Sequence, residues 1–459
     1  MLAAGAALGS EQPLQASIQV SLKPGQPLVE PEVISARDGV TRVDLTARPS
    51  VTQIGGSRAI SAVWNGLLPA PTLKVRRGQR LAVNLTNQNP DGQPTNLHTH
   101  GLHVDPKGHH DNVFVNLPTN HTYQYRYDIP EDHIPGLYWY HPHRHMFTDP
   151  QVFAGQAGVI EIPGGLDDVP GVGNLRDRLM VFQSVQLGKN GRTVPSSQAN
   201  PKKELQLING QLRPVIDIHP GETQRWRILN ASSDNFLRLR LDGHSMYEIA
   251  DDGNPRAHPS RATVLFMAPG ERREILVRAR SRAGSFKLES LHFVPAPNAP
   301  GFSAPNTTIA TMRIGGAQHV RRPIPERLLT MPDLRGKPVA RRRTITYSEK
   351  FPNFFINGRK FNPSHIAETM KLGTVEEWTV RNTTAEWHTF HIHVNPYQMI
   401  RVNGKPVKGV VYDDDVALPP HGSITMRTQF KDFTGKFVIH CHILFHEDNG
   451  MMAAIQVVR

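Results

Sequence analysis

From Val40 onward, apolar and polar positions alternate in short runs rich in Val, Ile, Thr and Tyr, such as KVRRGQRLAVNL at 74–85 and YQYRYDI at 123–129. A period of two turns one side of an extended chain toward a core and leaves the other wet, so these runs predict half-buried strands. Gly, Pro, Asn and Asp separate them, and these are the residues that turn a chain sharply. Helical stretches are few, with 364–371 (SHIAETMK) a candidate.

The pattern occurs three times. LLPAPTLKVRRGQRLAVN (67–84), LINGQLRPVIDIHPGETQRWRILN (207–230) and FINGRKFNPSHIAETMKLGTVEEWTVRN (355–382) share one order: an Asn-Gly turn nearby, a Pro, a short strand, a Gly turn, then a strand ending in Asn. Recurrence at more than a hundred residues means repeated domains, because solenoid units are far shorter. A chain of 459 residues is too long for one core and has room for three β-sandwiches. Composition shifts mark the expected boundaries: an N-terminal segment at 1–39, a first domain at 40–163, a linker at 163–174, a second domain at 175–316 with a loop at 295–305, a connector at 317–343, and a third domain at 344–459.

Charge changes this picture little. The formal net charge is +12, but the basic residues are scattered and no basic helix or RNA-binding signature accompanies them, so nucleic acid is not an expected partner. The densest run, Arg341 to Arg343, reads as a solvated linker. No run of 18 apolar residues occurs, so no membrane span is expected. MLAAGAALGS at the start resembles the small-residue tail of an export signal without its basic head, and a periplasmic or secreted chain is the expectation. With Cys441 the one cysteine, no internal disulfide can form.

Four histidine clusters carry the candidate chemistry: His98-Thr-His100-Gly101; His141-Pro-His143; His388-Thr-Phe-His391-Ile-His393; and His440-Cys441-His442, followed by His446 and Met451. Two lie in the first segment, two in the last, and none in the middle. On a strand, residues i and i+2 share a face about 6.5 to 7 Å apart. That is too wide to grip one ion comfortably, but it suits ions lying close together between strands of two domains. If His440-Cys441-His442 is extended, its imidazoles point one way and its sulfur the other. A metal on the thiolate is then one covalent path from metals on the imidazoles. Two His, one Cys and a weak axial Met make a copper electron-transfer site; Cys441, His446 and Met451 have the loop spacing, and His388 would complete it. Structural zinc is the rival, but it favours four closed ligands rather than ten His and one Cys.

With all four clusters in order, the chain resembles the multicopper oxidases, the family of laccases, copper-efflux oxidases and spore-coat laccases, from about Val40 to Arg459. The resemblance implies an all-β fold of three cupredoxin-like (Greek-key) β-sandwich domains and four copper ions. His388, Cys441 and His446 would bind the type 1 copper with Met451 axial, and His98 and His391 the type 2 copper. His100, His141 and His442 would hold one type 3 copper, and His143, His393 and His440 the other. O2 would be reduced to water there, with electrons entering through His446 and leaving Cys441 by way of His440 and His442. Glu447 matches a family carboxylate near the oxygen path, and Asp111 lies near the place of a second acid, although His109 and His110 blur the alignment; both would relay protons.

Substrate is less legible. The 12 Met are scattered and the connector contributes only Met331, which favours phenols or aromatic amines over Cu(I), the alternative that would serve copper tolerance. Six further histidines, His103, His109, His110, His121, His133 and His145, could feed metal to the enzyme, but surface histidines are the commoner case. A copper nitrite reductase and a non-enzymatic cupredoxin scaffold are the remaining readings, and a monomer is expected.

Overall fold

A computed structural model of the chain describes residues 23–297 and 304–459. The export-signal reading of residues 1–10 lies outside the described residues, as does the middle of the loop at 295–305. Three two-sheet sandwiches follow one another. The first packs the sheet of Ser57–Trp64, Val40–Ile54, Arg80–Asn87 and His121–Asp128 against that of Val33–Ser35, Thr72–Lys74, Gly158–Ile162, Gly136–His141 and His98–His100. The second is built around Arg176–Val185, Thr223–Asn230 and Arg272–Arg278 in one sheet and Thr307–Ile314 and Gly284–Ser290 in the other. In the third, Arg341–Lys350, Val375–Asn382 and Ser423–Gln429 face Ile366–Lys371, Met452–Val458, Gly435–His440, His388–Ile392 and Asp415–Leu418. Among the described residues no helix is long and apolar enough to cross a membrane.

The threefold repeat has a backbone cause. Asn65-Gly66, Asn209-Gly210 and Asn357-Gly358 all have positive φ at both positions, 53° and 74°, 52° and 73°, and 51° and 72°. This is the hairpin turn that Asn-Gly tolerates and β-branched residues do not. Further on, Gly78, Gly221 and Gly373 take φ of 73°, 79° and 84°. There the chain crosses from a short strand in one sheet (Thr72–Lys74, Val215–Ile218, Ile366–Lys371) to a longer one in the facing sheet.

The structure moves one landmark of this repeat. Asn230 donates through Nδ2 to Asn235 O (2.8 Å) and Ala268 O (2.9 Å), and Asn382 to Glu386 O (2.7 Å) and Pro419 O (3.0 Å). In the first sandwich Asn87, not Asn84, does this, reaching Gln93 O and Leu117 O at 3.0 Å each. Asn84 is exposed and bonds Asp44. LAVNLTN offers two Asn, and only the inward one can close the loop. Asn382→Ala would strand two carbonyls and the Thr384 N–H that its Oδ1 accepts, so we expect a loss of about 2–3 kcal/mol. Urea denaturation checks this, and a change within noise would refute the role.

Two sequence readings are corrected. Residues 364–371 are not helical: Ile366–Lys371 is a strand parallel to Met452–Val458, with Ile366 opposite Ala454 and Lys371 opposite Val458. Pairing with the C-terminal strand overrides local propensity. Nor is Arg341 to Arg343 a solvated linker. It opens the strand Arg341–Lys350, and alternation turns Arg343 inward, where it is 7% exposed and forks onto Glu376 (Nε–Oε2 2.6 Å, Nη2–Oε1 3.0 Å). The first sandwich also recruits Val33–Ser35, from the segment read as N-terminal, beside Thr72–Lys74.

Apolar seams join the sandwiches. Leu137, Trp139 and Val159 of the first pack with Leu179, Val181 and Leu229 of the second, and Val113 of the first packs with Val438 and Met452 of the third. The strands bearing the histidine clusters meet between the first and third.

Candidate metal centre

Cys441 follows the strand Gly435–His440 directly and is fully buried. Its Sγ lies 3.7 Å from His388 Nδ1 and 3.7 Å from His446 Nδ1, and those two nitrogens are 3.0 Å apart. A point equidistant from the three is about 2 Å from each, the bond length of a first-row metal to imidazole. Thr389 N donates to Sγ at 3.4 Å. Cys441 N donates to Met451 O at 3.0 Å and Met451 N to His446 O at 2.9 Å, so main-chain bonds tie the fully buried Met451 to Cys441 and to the short helix Leu444–Asp448. Burial pushes the thiol up to about 12 and His388 down to about 3. A thiol so raised is deprotonated only by a bound cation, while a neutral imidazole keeps its lone pair.

The other eight histidines converge on a second centre and are at most 1% exposed. His98 pairs across strands with His141, and His391 with His440. His143 Nε2 and His393 Nε2 each lie 3.1 Å from His440 Nε2. His98 stacks on His393 with ring centroids 3.8 Å apart, and His100 on His391 at 3.7 Å. Compact donor groups include His98, His100 and His141; His98, His391 and His393; and His143, His393 and His440. Burial drives most of these imidazoles well below their ordinary pKa, His143 to about 4. In those seven, burial favours the neutral ring, which keeps a lone pair for a metal.

Two buried centres, one sulfur-bearing and one of imidazoles alone, are thus joined by three consecutive residues, with Cys441 in one and His440 and His442 in the other. Family profiles of multicopper oxidases match residues 46–165, 183–310 and 335–459. The chain is a multicopper oxidase. A multicopper oxidase of Staphylococcus haemolyticus is 27% identical over 94% of this chain and 92% of its own length, and a laccase of Bacillus subtilis 23% identical over 86% and 89%. The solved multicopper oxidase of Campylobacter jejuni, described as a metallo-oxidase, superposes with a TM-score of 0.84 at 26% identity over 95% of this chain and 96% of that one. This oxidase is accordingly a copper enzyme with O2 as acceptor and three cupredoxin-like domains.

The donor set fits copper. His98 Nδ1 lies 2.9 Å from Asp111 Oδ2, His141 Nδ1 2.8 Å from Pro142 O and His391 Nδ1 2.7 Å from Asp414 O. Their Nε2 atoms are buried with no protein partner. His100 is turned the other way: Nε2 lies 3.0 Å from Asp414 Oδ1, and Nδ1 is left free. Such outer bonds set which nitrogen faces a metal.

Both expected acids of the oxidase lie against these histidines. Asp111 also accepts from Thr99 N at 2.8 Å and Thr99 Oγ1 at 3.1 Å, and burial pushes it up to about 7. Glu447 is fully buried with Oε2 3.1 Å from His440 Nδ1, Oε1 3.6 Å from His143 Nδ1, and Thr148 Oγ1 donating to Oε1 at 3.0 Å. Sequence reading missed Asp414, which touches two of the imidazoles. Its signal was three consecutive acids, Asp413 to Asp415, entering an apolar strand. The extra histidines do not converge: His109 Nδ1 meets Gln124 O and His121 Nδ1 meets Thr119 O. His133 is buried rather than on the surface, and its Nε2 accepts from His103 N at 2.9 Å.

The edge of His446, 8% exposed, opens on a pocket walled by Phe351, Phe354, Trp387 and Phe445, with Ser196, Glu204, Asp234, Asn235 and Glu386 among its polar members. Phe354 stacks on the His446 ring at 4.1 Å.

Proposed function

We propose that this oxidase is laccase-like, taking single electrons from phenols or aromatic amines at the His446 pocket. His388, Cys441 and His446 would hold the type 1 copper, with Met451 beside it, and His98 and His391 the type 2 copper. His100, His141 and His442 would hold one type 3 copper, and His143, His393 and His440 the other. Bound there, copper supplies one-electron transfer at the thiolate and a four-electron store for turning O2 into two waters. The chain's own part is arrangement. The aromatic walls seat a flat donor against the imidazole edge of His446, and no solvent reaches Cys441. His440 and His442, bonded to Cys441 through the main chain, carry the electron inward. Glu447 and Asp111, in contact with the imidazoles, pass protons to the reacting oxygen, Glu447 from the Thr148 side. The carrying observation is the adjacency of Cys441 Sγ to His388 and His446 while its two sequence neighbours belong to the other cluster. A copper count and spectrum of the loaded protein test it: four coppers per chain and an intense blue thiolate-to-copper band are expected, and absence of the band would refute it.

For substrate, the aromatic lining without methionine favours organic donors. A second reading, Cu(I) oxidation, draws support from two carboxyls beside the imidazoles, Glu386 Oε2 3.7 Å from His446 Nε2 and Glu349 Oε2 3.8 Å from His388 Nε2. Steady-state kcat/KM with a simple phenol should exceed that with Cu(I), and Trp387→Ala should raise KM for the phenol severalfold with kcat little changed. A much higher Cu(I) efficiency would replace the organic reading with the cuprous one. Export to the periplasm or exterior accords with this chemistry.

A further inference from the structure

The middle sandwich holds none of the ten histidines or the cysteine, yet its buried edge around Gly270 and Arg272 reaches the imidazole cluster. Arg272, at the start of Arg272–Arg278 and 1% exposed, forks onto Asp414 of the third sandwich (Nη1–Oδ1 2.8 Å, Nη2–Oδ2 2.5 Å). It also donates to Leu137 O of the first sandwich at 3.3 Å. Asp252, in the middle sandwich too, accepts Arg272 N on Oδ1 (2.8 Å) and the main-chain N–H groups of Asp414 (3.1 Å) and Asp415 (2.9 Å) on Oδ2. Asp414 in turn contacts His100 Nε2 with its carboxylate and accepts His391 Nδ1 on its carbonyl. One residue, through its carboxylate and its main-chain carbonyl, thus clips the two stacked rings, and the middle sandwich clips that residue.

Two glycines show how closely the parts fit. A Cβ on Gly101, the residue after His100, would collide with the Arg272 guanidinium and meet Asp414 Oδ2 at 2.6 Å. One on Gly270 would collide with the Asp415 carboxylate and press on the His442 ring at 3.0 Å. Side chains are excluded at both positions, so main chain approaches the ligand shell directly.

We infer that Arg272, backed by Asp252 and Gly270, is a positioning residue of the O2-reducing centre. It fixes through Asp414 the ring orientation of His100 and His391, and so which nitrogen each presents. The middle domain is then a working part of the copper cluster and not a spacer between the domains that carry it. A planar guanidinium is needed because it must satisfy both carboxylate oxygens and three carbonyls at once, Leu137 O, Gly270 O and Asp252 O. An ammonium has neither the fork nor the reach. The inference rests on the ligand reading given above.

The test loads wild type, Arg272→Lys, Arg272→Met and Gly270→Ala with copper and measures copper count, blue absorption, the type 2 electron paramagnetic resonance signal, and reoxidation by O2 after anaerobic reduction. The blue site serves as an internal check on folding, since neither His388, Cys441 nor His446 touches Arg272. Arg343→Lys, which weakens a buried fork whose partners are Glu376, Glu368 and Thr369 and none of the histidines, is the stability control. The variants at 272 and 270 should keep the blue band and its reduction by substrate. They should lose or distort the type 2 signal and reoxidise about 10–100-fold more slowly, with lysine the milder change at 272. Arg343→Lys should do neither. Full copper and wild-type reoxidation in the Arg272 variants would overturn the inference, as would parallel loss of both centres with a Tm drop matching that of Arg343→Lys. Failure of the wild type itself to show the blue band and four coppers would instead sink the underlying ligand reading.

Discussion

Cys441→Ser is expected to give a folded, colourless protein whose oxidation of any donor falls to background. A hydroxyl is a hard, weakly acidic ligand that does not deprotonate for copper as a thiol does, so the triangle of Cys441, His388 and His446 loses its soft corner. The covalent route from that corner to His440 and His442 goes with it. Folding should survive, because the replaced Sγ accepts from Thr389 N and Thr389 Oγ1, and a hydroxyl can accept the same bonds at a loss of about 1 kcal/mol. The decisive comparison is between centres: O2-reactive copper should still bind among the eight histidines. A blue band surviving in Cys441→Ser would show that another residue supplies the ligand and would undo the electron path.

Glu447→Gln is the second large effect. The amide keeps the shape and can still contact Thr148 and the two imidazoles, but it can neither take up nor give up the proton. Reduction of the blue site by substrate should be unchanged, whereas its reoxidation by O2 should slow by about 10²–10⁴-fold, the range in which positioned proton donors act. Stopped-flow mixing of the reduced enzyme with O2 isolates that half-reaction. Equal slowing of both halves would mean that Glu447 shapes the site rather than moving protons. Because burial already raises the Glu447 carboxyl, the neutral amide should not weaken the fold.

Much of this site could be read along the chain because each part of it is local. His98 and His100, His141 and His143, or His440 and His442 are two residues apart, and strand geometry alone puts such a pair on one side. The Asn-Gly turns and the glycines at 78, 221 and 373 were legible for the same reason, since a positive φ is a property of one residue. What failed was also consistent. Residues 364–371 have a helical look that vanishes once Met452–Val458 offers an edge, and Arg343 looked like a surface charge until Glu376 was found beside it. Asn84 and Asn87 cannot be told apart without knowing which one faces the loop.

The candidate donors, the β architecture and its threefold repetition were legible in the sequence, since these depend on residue type and on spacings of a few positions. The tertiary structure decided which nitrogen of His98, His100, His141 and His391 is free, where Glu447 and Asp111 sit, and that the middle domain grips the cluster through Arg272. Those depend on groups 142 residues apart, such as Arg272 and Asp414, meeting in a dry interior where an unpaired charge could not be sustained. No local pattern in the chain records such a partner.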